Sequence, residues 1–173
     1  VRGSSALRAA ILREVFASIA QEMGQEVCTI LWDCEKFVDS LEPWGMIETA
    51  VRLSYPLRPL YLGLLVHRAP RFLKYEECWD TGVVPDKSIL AGCVQSVPWT
   101  RLFLYEMMEA FHRDYRPNQV KVWVDDMPQQ AVAKNAEQLA RVVVPAAKFI
   151  VASLKKLGCS ISGKSVVITS SEK

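Results

Sequence analysis

Residues 27–32, V-C-T-I-L-W, form one short run of β-branched, aromatic and aliphatic side chains. The run reads as a β-strand buried on both faces, and it leads straight into a carboxylate, Asp33. A second such junction lies at K-V-W-V-D-D (121–126). This reads as a strand with Val122 and Val124 on one face and Lys121 and Trp123 on the other, ending at Asp125 and Asp126. If the two strands lie side by side, Asp33 and Asp125 leave the same sheet edge. Hard divalent cations such as Mg²⁺ take oxygen ligands. They need only one or two protein carboxylates when substrate phosphates and water complete the octahedron. The neighbouring charges of Asp125 and Asp126 repel unless something compensates them. The same residues also suit plain structural roles, because Asp at a strand end forms turns or caps helices.

Around these junctions, the steps between Leu12, Val15, Phe16, Ile19 and Met23 predict an amphipathic helix from about Ala6 to Glu26, with one buried stripe and a stop near Gly24. Helical composition resumes at Pro43 and continues to about His67, broken into two pieces by Pro56 and Pro59. Residues 71–84 suggest a strand pair turning at Asp80-Thr81-Gly82. A helix is expected over 98–114, with Leu102, Phe103, Met107, Ala110 and Phe111 on its apolar face, and another from Ala133 to Leu157, stopped by Gly158. The tail C-S-I-S-G-K-S-V-V-I-T reads as two short strands joined at Ser162-Gly163. The order suits an α+β fold, in which helices cover one face of a mostly antiparallel sheet.

Composition bounds the rest. With 173 residues, half of them apolar, the chain can build one sizeable core, which excludes a disordered or collagen-like protein. The net charge of +2 does not by itself point to nucleic acid. Five widely spaced cysteines without a C-x-x-C pair suggest neither a disulfide framework nor a zinc cluster, and they fit an intracellular setting; in a eukaryote a nuclear location is the expectation. Every apolar run is interrupted by charge before it could cross a bilayer, so no membrane partner is expected. The start V-R-G-S-S has no initiator Met and no signal-like stretch, which suggests a piece excised from a longer protein. His67 and His112 read as surface residues, and Trp44, Trp79 and Trp99 as core or layer-packing residues. Arg52, Arg58, Arg68, Arg71 and Lys74 form the densest basic region, which could face nucleic acid or simply solvent.

Four segments carry a family resemblance. D-C-E-K-F-V-D-S (33–40) resembles the D-x-x-K-A-F-D-S segment of reverse transcriptases, especially those of non-LTR retroelements (retrotransposons) and group II introns. V-W-V-D-D (122–126) resembles their Y-A-D-D turn, and A-G-C-V-Q-S-V-P-W-T-R-L-F-L (91–104) their G-x-P-Q-G-x-x-x-S-P-x-L-F segment. L-G-C-S-I-S-G-K-S (157–165) is similar to the G-L-x-x-N-x-x-K element that ends the palm. The resemblance implies a polymerase palm with a ferredoxin-like antiparallel sheet over residues 27–173. Residues 1–26 would be a helical remnant of the fingers/palm junction, most of the fingers and all of the thumb being absent.

By the same resemblance, the activity is RNA-directed DNA polymerase, a nucleotidyltransferase using two Mg²⁺ ions, or Mn²⁺, with an RNA template, a DNA primer and dNTPs. Asp33, Asp125 and Asp126 would be catalytic and would hold metal together with the backbone carbonyl of Cys34. Phe37, Val38, Gln95, Ser96 and Lys164 would lie along the template and incoming nucleotide, with Lys164 near the triphosphate. The sequence departs from the family at several of these positions. Val38 stands where Phe or Tyr blocks a ribose 2′-hydroxyl, with Phe37 one place earlier. Ser96 replaces Gly and Val94 replaces Pro, while Trp123-Val124 replaces Tyr-Ala. Without fingers and thumb the isolated chain is expected to bind nucleic acid poorly and to show little polymerase activity. A second reading is a decayed palm serving as a non-catalytic nucleic-acid or protein interaction module. A third is a metal-dependent nuclease.

Overall fold

A computed structural model describes residues 6–90, 92–122 and 126–170. In chain order they form α1 (Ala6–Glu22), β1 (Glu26–Trp32), β2 (Cys34–Glu35), α2 (Phe37–Ser40), α3 (Pro43–Arg52), α4 (Leu57–His67), β3 (Lys74–Tyr75) and β4 (Cys78–Trp79). These are followed by α5 (Ser96–Asp114), β5 (Asn118–Val120), β6 (Met127–Ala133), α6 (Ala136–Lys156), β7 (Ser160–Ile161) and β8 (Val166–Thr169). The chain divides into two compact units. One comprises residues up to Glu35 and from Met107 onward, the other Lys36–Glu106.

The first unit is built on an antiparallel sheet in the order β5-β6-β1-β8. The apolar run at 27–32 is one of its inner strands, as its composition requires. On one face Cys28 and Ile30 of β1 and Ala131 of β6 pack with Leu139 and Val143 of α6, forming the core of this layer. The other face carries the cross-strand pair Thr29 and Gln130, where Gln130 Nε2 donates to Thr29 Oγ1 at 3.1 Å. The Gln130 amide also reaches the α1 backbone at Arg13. The fold is thus α+β, an antiparallel sheet with helices packed on it.

Helix ends follow local chemistry. Asn135 caps α6 by accepting from the Gln138 amide at 2.9 Å. At its other end Gly158, at φ 78°, closes a Schellman turn in which the amides of Gly158 and Cys159 donate to Lys155 and Leu154. Gly24 closes α1 in the same way.

Several expectations are corrected. The expected α1 stripe is not buried: Leu12, Val15, Phe16, Ile19 and Met23 are all exposed, and Ala20 is the buried residue of that helix. Lys121 and Val122 lie outside any strand, in the connection between β5 and β6; Trp123 and Val124 lie outside the described residues. Residues 127–133, M-P-Q-Q-A-V-A, form a strand that their polar glutamines conceal, so α6 starts only at Ala136. The two tail strands do not pair with each other. β7 pairs with β2, and β8 pairs with β1.

In the second unit α3 begins at Pro43, and the Glu42 carboxylate caps it by accepting from the amides of Trp44 and Gly45. Only Pro56 separates α3 from α4, because Pro59 falls within the first turn of α4 and needs no amide partner there. The strand pair β3–β4 turns at Glu76-Glu77, with Glu76 in the left-handed region at φ 51°, and not at Asp80-Thr81-Gly82. Trp99 and His67 are fully buried, whereas Trp44 and Trp79 are exposed. No helix among the described residues is long and apolar enough to cross a membrane.

Candidate functional site

Asp33 follows the last residue of β1, and three sets of contacts fix that strand end. The first is the ladder to β6, which runs from Glu26 opposite Ala133 to Trp32 opposite Met127. Continuing the register by one residue sets Asp126 opposite Asp33. Two carboxylates far apart in sequence therefore share one end of one strand pair, Asp33 following β1 and Asp126 preceding β6. Asp125 lies outside the described residues.

The second is a buried polar chain on the α6 face. Trp32 Nε1 donates to Gln129 Oε1 at 3.1 Å, Gln129 Nε2 to Asn118 Oδ1 at 2.9 Å, and Asn118 Nδ2 to the Val142 carbonyl at 3.2 Å. It ties β1, β6, β5 and α6 together one residue before Asp33, and Gln129 and Asn118 are both fully enclosed. Every link is a donor matched to an acceptor, which is what makes burial of these amides tolerable.

The third is the turn between β7 and β8. The Ser165 hydroxyl accepts from the Asp33 amide at 3.0 Å and lies 3.3 Å from the Asp33 carbonyl, which also accepts from the Ser162 amide at 2.8 Å. Lys164 is exposed on this same turn, its amide donating to Ser162 Oγ at 3.1 Å. Cys34 is buried in β2 opposite Ile161. Asp33, Cys34, Asp126 and Lys164 thus belong to one unit and cluster around the β1 terminus.

Phe37, Val38, Gln95 and Ser96 belong to the second unit. The Phe37 ring is buried edge-on against Phe103, with centroids 6.5 Å apart. Val38 is half-buried, and its carbonyl accepts from the Ile89 amide. Ser96 is buried, and its hydroxyl donates to the Leu90 carbonyl at 2.6 Å. Gln95 is half-buried, and its carbonyl accepts from the Trp99 amide. In the basic region, Arg52 pairs with Glu106 at 2.7 Å, Arg68 donates to the Asp86 carbonyl, Arg71 to the His67 carbonyl, and Lys74 sits over the Trp79 ring.

Sequence reasoning missed Ser165, Gln129 and His67. Ser165 had a signal, since a serine pair flanking Gly163-Lys164 is turn chemistry of the kind that binds backbone. Gln129 and His67 had none, because nothing local marks a polar residue as a partner for a distant donor.

Among the described residues no group of three or more His, Cys, Asp or Glu is placed to hold a metal ion. The donors gathered at the β1 end, two carboxylates and backbone carbonyls, are hard oxygens of the kind that Mg²⁺ prefers.

The chain matches no known protein family and no curated protein. It is similar to solved structures of telomerase from Candida tropicalis. The apo enzyme truncated from its C-terminal domain superposes with a TM-score of 0.70 at 15% identity, over 98% of this chain and 36% of that one. The telomerase in complex with the TWJ fragment of telomeric RNA gives 0.67 at 14% identity, over 98% and 30%. The apo enzyme gives 0.67 at 15%, over 96% and 33%. The chain therefore shares the fold of the part of those telomerase structures on which it superposes, and it spans about a third of the length of the telomerase chains it matches.

Proposed function

We propose that this chain is the palm portion of an RNA-directed DNA polymerase of the retroelement type, carrying nucleotidyl transfer to a primer 3′-hydroxyl in its parent protein. A fold does not by itself assign an activity, so the proposal rests on the site. The observation that carries it is the register that sets Asp126 opposite Asp33 at the end of β1, beside the turn that bears Lys164. That one strand end gathers hard-oxygen donors for cations and an amine for phosphate. The telomeric RNA bound by a structural neighbour favours a nucleic-acid partner for this fold.

Asp33, Asp125, Asp126 and the Cys34 carbonyl would hold two Mg²⁺ ions. Bound there, the ions would supply a nucleophile of lowered pKa and neutralisation of charge on the leaving oxygen. The protein's own contribution is positional. Ser165 and Ser162 fix the Asp33 backbone, the Trp32–Gln129–Asn118 chain fixes the strand behind it, and Lys164 offers a cation, or a proton, to the pyrophosphate leaving group.

The test is extension of a DNA primer on an RNA template by the full parent chain with Mg²⁺. Incorporation is expected, and Asp125→Asn should abolish it. Cleavage of the nucleic acid without incorporation would favour the nuclease reading. RNA binding with neither activity would favour the non-catalytic module.

A further inference from the structure

In the second unit, the segment Ser88–Leu90 is held on both sides by groups that no local pattern announces. The Ser88 and Ile89 amides donate to the carbonyls of Leu41 and Val38, at 3.0 and 3.2 Å. Ser88 Oγ donates to Asp39 Oδ1 at 3.1 Å. Ser88 takes φ 93°, a conformation unfavourable for a side-chain-bearing residue, and these bonds hold it there. The next residue, Leu90, is gripped twice. Its amide donates to His67 Nδ1 at 2.8 Å, and its carbonyl accepts from Ser96 Oγ at 2.6 Å.

His67, the last residue of α4, is 1% exposed and lies against the Trp99 ring with centroids 4.6 Å apart. Accepting at Nδ1 requires the neutral imidazole protonated on Nε2. Trp99 in turn donates its amide to the Gln95 carbonyl. A single run of contacts therefore joins Val38, Ile89, Leu90, His67, Trp99 and Gln95.

We propose that His67 is a positioning residue: by holding the Leu90 amide from the end of α4 it sets the course of the segment that carries Gln95 and Ser96 and fixes that segment against Val38. The consequence for nucleotide binding rests on the polymerase reading above; the clamp itself does not. Ser96, which stands where the reverse-transcriptase segment it resembles has Gly, fits this role, because a glycine could not make the second bond to Leu90.

In the unaltered protein, nuclear magnetic resonance should detect a scalar coupling across the hydrogen bond between the Leu90 amide nitrogen and His67 Nδ1; its absence overturns the proposal. Hydrogen exchange of the Leu90 amide should quicken about tenfold in His67→Ala, the loss of one such bond. It should stay within about twofold in His67→Asn, whose side-chain oxygen can accept from the same amide. Equal exchange in His67→Ala and the unaltered chain, or equal loss in both variants, overturns the proposal. In the parent chain, His67→Ala should raise KM for dNTP with kcat largely kept, and His67→Asn should restore it. A fall in kcat with unchanged KM counts against positioning. A parent chain that incorporates no nucleotide refutes the polymerase reading and leaves the exchange contrast to decide the clamp.

Discussion

The indole of Trp32 donates to the side-chain oxygen of Gln129 across the β1–β6 ladder at 3.1 Å, and Gln129 passes the connection on to Asn118 at 2.9 Å. An apolar strand is thereby locked in register by a polar chain, and the residue after Trp32 is the carboxylate on which the candidate site depends. The hydrophobic contacts of Cys28 and Ile30 with α6 bring the layers together without direction. The hydrogen-bonded chain sets where along the strand they stop.

Gln129→Leu should therefore destabilise the protein by about 2–6 kcal/mol, because it leaves the Trp32 donor and the Asn118 acceptor without partners at about 1–3 kcal/mol each. Urea unfolding gives the value. A change below about 0.5 kcal/mol, the level of an ordinary surface substitution, would mean that water replaces the lost partner.

The pH dependence of stability should carry a mark of His67. Burial, and secondarily the Arg71 charge, hold its imidazole pKa below the ordinary 6.5. The unfolded chain takes up a proton as pH falls below about 6.5, while the folded chain does so only at lower pH. The stability due to this residue is thus complete above 6.5 and is lost as pH falls through the folded value. Urea midpoints between pH 7.5 and 5 should fall more steeply for the unaltered chain than for His67→Asn. Equal slopes would contradict the assignment.

Gly63→Ala tests two opposing effects. Alanine favours a helix over glycine by about 1 kcal/mol. A Cβ at position 63 of α4 would stand 2.5 Å from Trp99 Cζ2 and closer still to Gln95 Oε1. Overpacking of this kind costs about 1–3 kcal/mol. Net destabilisation is expected, read from thermal or urea unfolding, together with altered packing around Trp99; a more stable variant would show that Gln95 and Trp99 give way freely.

Ser165→Ala removes a hydroxyl that serves the Asp33 backbone, while Ser165→Thr keeps it. The alanine variant should lose about 1 kcal/mol of stability. In the parent chain it should also lose most of its nucleotide incorporation, with the threonine variant retaining much of both. Full activity in Ser165→Ala would mean that the ladder to β6 alone positions Asp33.

Among the cysteines, Cys78 is exposed, whereas Cys28 and Cys159 are buried and burial raises both their thiol pKa values. Brief alkylation near neutral pH, followed by peptide mass analysis, should label Cys78 first and those two last. Early labelling of Cys159 would indicate opening at the end of α6.

The strand at 27–32 was legible because its apolar run is continuous, and the end of α6 because Gly158 marks it, while the cap at Asn135 was overlooked and the helix start set too early. β6 was not legible. Gln129 and Gln130 occupy inner positions of a sheet, and only partners distant in sequence, Asn118 and Thr29, make them acceptable there. The stripe on α1 was visible and its burial was wrongly inferred, because periodicity reports that a face is apolar and says nothing about what covers it. His67 was misjudged for a related reason: it sits between an exposed Val66 and a half-buried Arg68, and its own partner lies on a separate segment. At the candidate site, Asp33 could be recognised from a strand end followed by a carboxylate, whereas Asp126 precedes its strand, β6, instead of following one. The serines that hold Asp33 required the tertiary fold.

The strand order has a consequence for how this protein is made. β1 lies between β6 and β8, and the Asp33 amide finds its partner in Ser165, 132 residues later. At about 5–20 residues per second, the ribosome delivers that partner on the order of ten seconds after β1 has been synthesised. The β6 partner arrives earlier, and until β8 follows it V-C-T-I-L-W, an uncharged β-prone hexamer of the kind that self-associates, keeps one edge unpaired. Until β8 is made, that open edge would depend on a chaperone's protection, and yield should respond to chaperone supply more than final stability suggests.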